Sequence, residues 1–154
     1  MFEAVVTTGY IIVPGFSNLV YGLTNHSNRR GDHEAAETYC RQAVESELQV
    51  YEPTNPNMAY SLSCLGEALL GQARPDDAMT PLGQAFDLRN RPDMAEARLA
   101  WTKWLFGRAL VESGSDSDRG MEYVRESRTV FAEMGDSAES ELTDVDSWLE
   151  SRSD

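Results

Sequence analysis

The chain has 154 residues, enough for one domain with a hydrophobic core, and it carries a formal net charge of −13. An acidic surface repels phosphate backbones, so this charge argues against nucleic acid, and a basic peptide or protein fits better as a partner. Solubility alone is the simpler explanation of the charge. No run approaches the roughly 18 uncharged apolar residues of a membrane span.

Residues 1–17 form an apolar segment whose pattern differs from that of the remaining chain. The stretch VVTTGYIIV is rich in β-branched residues, so we expect this segment to be extended or poorly ordered. Three arrangements stay open: packing along the first helix, pairing with a second copy, or disorder. The segment lacks a basic start and is broken by Gly9 and Pro14, so it does not match the pattern of a signal peptide and we expect a cytoplasmic protein.

From about residue 18 onward, apolar residues recur at helical spacing and polar, Gly- or Pro-containing turns interrupt them. The pattern predicts helices at about 18–29, 33–51, 57–72, 76–90, 93–113, 118–134 and 137–152. Because the connections are short, successive helices are expected to pack antiparallel. Side chains suited to cap helix N-termini precede several of them, namely Asp32, Asp93, Asp116 or Asp118, and Asp136 or Ser137.

A small–large–small pattern recurs along the chain at a fixed interval of 42 residues. Its members lie at i, i+4 and i+7 on one helix face. They are Ala36, Cys40 and Ala43; then Ala78, Leu82 and Ala85; then Gly120, Val124 and Ser127. Small residues at both ends let a neighbouring helix approach, and the larger residue fills the space between them. We therefore expect all nine to be buried, with Cys40 an inert core thiol and Cys64 a reduced, buried residue as well.

The helices that precede these faces also correspond. Gly66 and Gly107 lie 41 residues apart, one short of the repeat, so the sequence predicts one additional residue in the turn at 114–118. Glycine inside a helix costs roughly 0.5–1 kcal/mol relative to alanine. Two equivalent glycines therefore predict close contact between paired helices.

The stretch LGEALLGQARPDDAMTPLGQAFDL resembles the tetratricopeptide repeat, a helix–turn–helix unit locked by small residues. The 42-residue step is similar to the longer variety of kinesin light chains. The region from MAEARLAWTKWLFGRAL to the end resembles the C-terminal repeat regions of some bacterial serine/threonine protein kinases, although the chain has no glycine-rich loop, HRD or DFG motif. The resemblance implies an all-α, right-handed α-α superhelix of about three hairpins in one domain, 18–152. Its units span about 18–51, 57–90 and 93–134, followed by a capping helix at 137–152.

The capping helix and the titratable residues point to structure rather than chemistry. Leu142, Val145, Trp148 and Leu149 form one apolar stripe, which we expect to be core, with acidic residues on the opposite face. His26 and His33 match no strong zinc pattern, and the Asp116 loop lacks the remaining calcium ligands. We find no catalytic set, metal site or cofactor motif, and we expect no enzyme.

In the repeat family, the first helix of each pair lines the concave face, so the resemblance implies a groove for a partner. The residues placed there are Tyr60, Ser63, Glu67, Leu70, Trp101, Trp104 and Arg108, with Tyr21 and Asn25 as weaker members. Aromatic residues and arginine commonly anchor interfaces, although Trp104 suits the core equally well. The lysines and asparagines with which some relatives clamp a peptide carboxylate are absent from these positions.

Two functions follow from this sequence. The first is a non-catalytic module that binds a peptide or protein in the groove. The second is a self-associating structural subunit, joined through residues 1–17 or through an open end of the stack.

Overall fold

The computed structural model describes residues 5–7, 10–12 and 31–153 of the chain. Near the N-terminus, strand β1 (Val5–Thr7) pairs antiparallel with strand β2 (Tyr10–Ile12). This local hairpin agrees with the β-branched sequence, and its pairing within the chain was not anticipated. The helix expected at 18–29 lies outside the described residues.

Six helices follow, and they account for most of residues 31–153. They are α1 (His33–Glu47), α2 (Met58–Gly71), α3 (Pro75–Arg89), α4 (Glu96–Ser113), α5 (Ser117–Met134) and α6 (Glu139–Glu150), with a 3₁₀ turn at Gly135–Ala138 before α6. Each helix packs on the next, and α2 also contacts α4. Residues 31–153 thus form an all-α stack of helical hairpins, as predicted. None of its helices is both long and apolar enough to cross a membrane.

The predicted N-caps are confirmed at two of the helices. Asp32 accepts a hydrogen bond from the backbone of Ala35 at 3.2 Å, and Asp116 accepts one from Arg119 at 3.1 Å. The prediction for Asp93 was wrong: α4 begins three residues later, after an extended backbone at Ala95.

The boundaries of two other helices also differ from their predicted positions. Helix α1 ends at Glu47 rather than at 51, and α6 begins at Glu139 because the 3₁₀ turn occupies the first residues expected to be α-helical.

All nine residues of the small–large–small pattern are buried. Four of them, Cys40, Ala78, Leu82 and Val124, belong to one core cluster that runs from α1 to Val145 in α6. Cys64 is also buried in this cluster. The 42-residue interval therefore predicted the helix faces that hold the stack together.

Close contact at the two helix-interior glycines is confirmed. A Cβ atom added to Gly66 would collide with the Leu82 side chain, and one added to Gly107 would lie 2.7 Å from the carbonyl oxygen of Gly120. The additional residue was placed wrongly, however. Both hairpin turns contain three residues, 72–74 and 114–116, so the extra residue lies in α4, after Gly107.

Candidate functional site

A cleft of about 250 Å³ opens between α2, α4 and α6, beside the C-terminal ends of α3 and α5. We call this space the cleft. Each of the three facing helices contributes two aromatic or acidic residues to the lining. They are Tyr60 and Glu67 from α2, Trp101 and Trp104 from α4, and Glu141 and Asp144 from α6. Two of these helices, α2 and α4, are the first helices of their hairpins.

The structure brings together four of the seven residues that the sequence placed in a groove. Tyr60, Glu67 and Trp101 are half-buried and line the cleft, and Trp104 lines it with only 5% of its surface exposed. Within α2, the residues that are not buried are Tyr60, Glu67 and the terminal Gly71. The open side of α2 therefore faces the cleft.

The other three predicted residues lie elsewhere. Ser63 and Leu70 are 0% and 3% exposed, so their side chains are packed inside the stack rather than open to a partner. Arg108 lies outside the cleft lining, with its guanidinium 5.2 Å from the centroid of the Trp104 ring. Tyr21 and Asn25 fall outside the described residues.

Arg89, at the C-terminal end of α3, is a cleft residue that sequence reasoning missed. It is 1% exposed, and its Nη1 donates hydrogen bonds to Thr102 Oγ1 at 2.7 Å and to the Arg98 carbonyl at 3.2 Å. Its guanidinium lies 4.5 Å from the centroid of Tyr60 and 5.5 Å from that of Trp101. These contacts help to offset the cost of burying a charge, and they brace α3 against α4.

Arg98, at the edge of the cleft, presents the exposed positive charge of the lining. Its guanidinium lies 5.3 Å from the Tyr60 ring centroid, so two guanidinium groups lie close to that ring. Apart from Arg89 and Arg98, the charged lining is acidic and comes from α2 and α6. The cleft therefore combines a buried, hydrogen-bonded arginine, Arg89, with an acidic wall formed by the carboxylates of α2 and α6.

Helix α6, which forms that wall, is fixed to the hairpin α4–α5 by its tryptophan. The Trp148 ring meets the Trp104 ring edge-on, with centroids 5.5 Å apart. Its Nε1 also donates a hydrogen bond of 2.7 Å to Glu112 Oε1, which accepts from Arg108 at 3.2 Å and has Arg152 at 3.6 Å. This anchoring holds the acidic side of α6 opposite α4.

The described residues were compared with two kinds of reactive site, a metal centre and an exposed thiol. Between residues 31 and 153 no group of three or more His, Cys, Asp or Glu side chains converges as metal ligands would. Cys40 is 0% exposed, which agrees with its predicted role as a core thiol rather than a nucleophile. Aromatic faces and carboxylates in a cleft suit the binding of another molecule.

The comparisons with known proteins agree with this architecture. Residues 19–91, slightly under half of the chain, match a family model described as "Tetratricopeptide repeat". No curated protein matches the chain.

A solved structure shows the same fold. It is a crystal structure of a protein from Podosopora anserina, assigned as a kinesin light chain and described as having nearly identical TPR-like repeats. The two chains share 15% sequence identity with a TM-score of 0.66, over 86% of this chain and 63% of that chain. The chain is thus similar to tetratricopeptide repeats in sequence over residues 19–91 and in fold over most of its length.

Proposed function

We propose that this protein is a non-catalytic interaction module that holds a segment of a protein or peptide partner in the cleft. Tetratricopeptide repeats generally serve protein–protein interaction, and this chain has their fold. The observation that carries the proposal is the convergence of the half-buried Tyr60, Trp101 and Glu141 from three helices on one cleft. A cytoplasmic site of action belongs to the same proposal. The kinesin-like step and the kinase-like tail stay predictions.

Aromatic rings that are rigidly held but partly open are well suited to anchor a partner. Tyr60 and Trp101 each expose part of a ring whose remainder packs on the stack, so little conformational entropy is lost when they bind. Trp104 sits deeper, in the core cluster against which Trp101 packs. The cleft is therefore preorganised for binding.

Site-directed photo-crosslinking tests this proposal. The photoreactive amino acid benzoylphenylalanine replaces Ser140, which is exposed and lines the cleft, or Ser147, which is exposed on the same helix outside the lining. We expect the chain with the label at 140 to form a covalent adduct of defined mass in cells and the chain labelled at 147 not to. Equal adducts at both positions, or none at 140, would contradict the proposal.

Self-association is a second candidate, favoured by a separate surface. Tyr39, Leu48 and Val50 are large apolar residues of which 44%, 46% and 55% is exposed, near the end of the described stack. Light scattering should then show a dimer that dissociates in the double variant Leu48→Ser/Val50→Ser. A dimer lost only on deletion of residues 1–17 would assign the contact to that segment, and a monomer at high concentration would exclude this candidate.

A further inference from the structure

We propose that strand β2 pairs, through its outer edge, with the same strand of a second copy of this chain, so that two hairpins form one four-stranded sheet. The inference rests on the self-association candidate and names the element that joins the copies. A two-stranded hairpin is only marginally stable in water unless further strands or a helix pack on it. Among residues 5–7, 10–12 and 31–153, the two strands pair only with each other, and neither packs extensively on a helix.

The register of the hairpin shows which backbone groups are open to a further strand. In an antiparallel pair, residues bonded to the partner strand alternate with residues whose N–H and C=O groups point outward. Thr7 pairs with Tyr10 across a loop of two residues, and in such tight hairpins the pair beside the loop is the bonded one. The next pair, Val6 and Ile11, therefore directs its backbone groups to the two outer edges.

The sequence leaves these edges without the usual protection. Soluble proteins block an open strand edge with a charge, a proline or a bulge, because an unpaired edge joins readily to other strands. Both strands consist entirely of β-branched and aromatic residues, and residues 4–13 contain neither a charge nor a proline. A segment of this composition is suited to pairing with copies of itself.

The charge distribution selects a second copy as the occupant. Residues 4–28 carry no Asp, Glu, Lys or Arg, whereas the whole chain has a net charge of −13. Two copies therefore meet with the least repulsion through this stretch, and a basic strand would find no carboxylate there. Pairing of one edge with itself about a two-fold axis is also self-complementary.

The position of Glu3 favours β2 over β1 as the paired edge. Glu3 lies two residues before β1, and β2 is the strand farther along the sequence from this charge. A charge beside a strand opposes the addition of another strand at that edge. The assembly therefore stops at two copies, with the β2 strands at its centre and the β1 strands outside.

Two proline substitutions test this inference, because proline lacks the backbone N–H. Ile11→Pro removes the outward donor of β2, and Val6→Pro removes that of β1, its cross-strand partner. Both variants should keep the hairpin, since proline is tolerated where the N–H is not bonded within a sheet. In light scattering over a concentration series, we expect a dimer for the unchanged chain and for Val6→Pro. The dissociation constant of Ile11→Pro should be about tenfold higher, because two equivalent hydrogen bonds are lost.

Amide hydrogen exchange followed by NMR gives a readout that needs no substitution. The Ile11 amide should exchange about tenfold more slowly where the dimer predominates than where the monomer does, because only the dimer bonds it. The Val6 amide should exchange equally fast at both concentrations. Helical circular dichroism verifies that residues 31–153 of each variant still fold, and the exchange measurement decides the question if one of them does not.

Three outcomes would overturn the inference: a monomer at every concentration, equal effects of the two prolines, or exchange at Ile11 that does not depend on concentration. A dimer that dissociates only in Leu48→Ser/Val50→Ser would leave self-association standing and remove the strand pairing. The adduct at Ser140 is measured separately, so the function proposed for the cleft stands or falls independently of these results.

Discussion

The hairpins α2–α3 and α4–α5 build the same contact in two different ways. In α2–α3, the glycine Gly66 receives the side chain of Leu82 from the opposite helix. In α4–α5, both helices contribute a glycine, and a Cβ atom on either Gly107 or Gly120 would lie 2.7 Å from the carbonyl oxygen of the other. The two helices of the first hairpin thus meet through a side chain packed on a glycine, and those of the second meet through direct contact of their backbones.

This difference shows how a repeat keeps its packing while its residues diverge. At the pattern's first position, Ala78 becomes Gly120, which permits the approach of the two backbones. At its third position, Ala85 becomes Ser127, whose hydroxyl lies 2.8 Å from the carbonyl oxygens of Ala100 and Tyr123. The buried hydroxyl is therefore satisfied, as burial demands. The match to the family model ends at residue 91, before this second hairpin, although its fold continues.

The largest effect is expected where backbone meets backbone. Gly107→Ala should lower the free energy of unfolding by about 2–3 kcal/mol, because relief of the overlap with the Gly120 oxygen requires the helices to separate. Urea denaturation monitored by circular dichroism measures this change. Gly83→Ala is the control, since its added Cβ would lie 3.7 Å from Phe106, an ordinary contact, and alanine favours the helix. A loss at Gly107 no larger than at Gly83 would refute the close backbone contact.

A smaller effect is expected at Gly66, where a side chain can be shortened to make room. Gly66→Ala should cost about 2 kcal/mol alone, and in combination with Leu82→Ala the total should fall below the sum of the single changes by about 1 kcal/mol. In the second hairpin, the corresponding double variant Gly107→Ala/Val124→Ala should recover less of the lost free energy of unfolding, because the overlap with the Gly120 oxygen remains. Equal recovery in both hairpins would abolish the distinction drawn between them.

The smallest effect concerns Glu37, which ties α1 to the turn of the first hairpin. Its carboxylate accepts hydrogen bonds from Gln72 at 2.7 Å, Arg41 at 2.7 Å and Arg74 at 2.9 Å. The hydrogen bond from Gln72, then that from Arg41, lowers the pKa of Glu37 below its ordinary value. The stabilisation is therefore present above the unfolded pKa of about 4.3 and is lost as pH falls through the lower, folded value.

Glu37→Gln should reduce the free energy of unfolding by about 1 kcal/mol at neutral pH, and this difference should shrink as the pH falls below about 4. Urea denaturation of both proteins between neutral pH and pH 3 measures it. Glu45→Gln, at an exposed position of the same helix, serves as the control. A difference that stays constant with pH would show that the Glu37 charge does not tie α1 to the hairpin turn.

The fold was predictable because it depends on spacing. The i, i+4, i+7 pattern at a constant interval identified a buried face of α1, α3 and α5, and the paired glycines identified the close contacts. The helix ends were harder to predict from the sequence. Asp93 is as suitable a capping residue by type as Asp32, and only the path of the chain after α3 decides that α4 begins at Glu96.

The site was harder to predict, for two physical reasons. Helix α2 is buried on almost all sides, so its sequence carries no polar stripe to separate Tyr60 and Glu67 from Ser63 and Leu70. Arg89 looks like an ordinary basic residue in the last turn of a helix, where exposure is the norm. Its burial depends on Thr102 and two rings from other helices, which no local pattern specifies.

The edge-on pair of Trp104 and Trp148 has a spectroscopic consequence. Indole transitions at such separation and inclination couple, so the native protein should display an exciton couplet in its ultraviolet circular dichroism. The signal would arise from the junction of the last helix with the preceding hairpin and would disappear when that helix detaches. Undocking of a single element could thus be followed optically in the unlabelled chain.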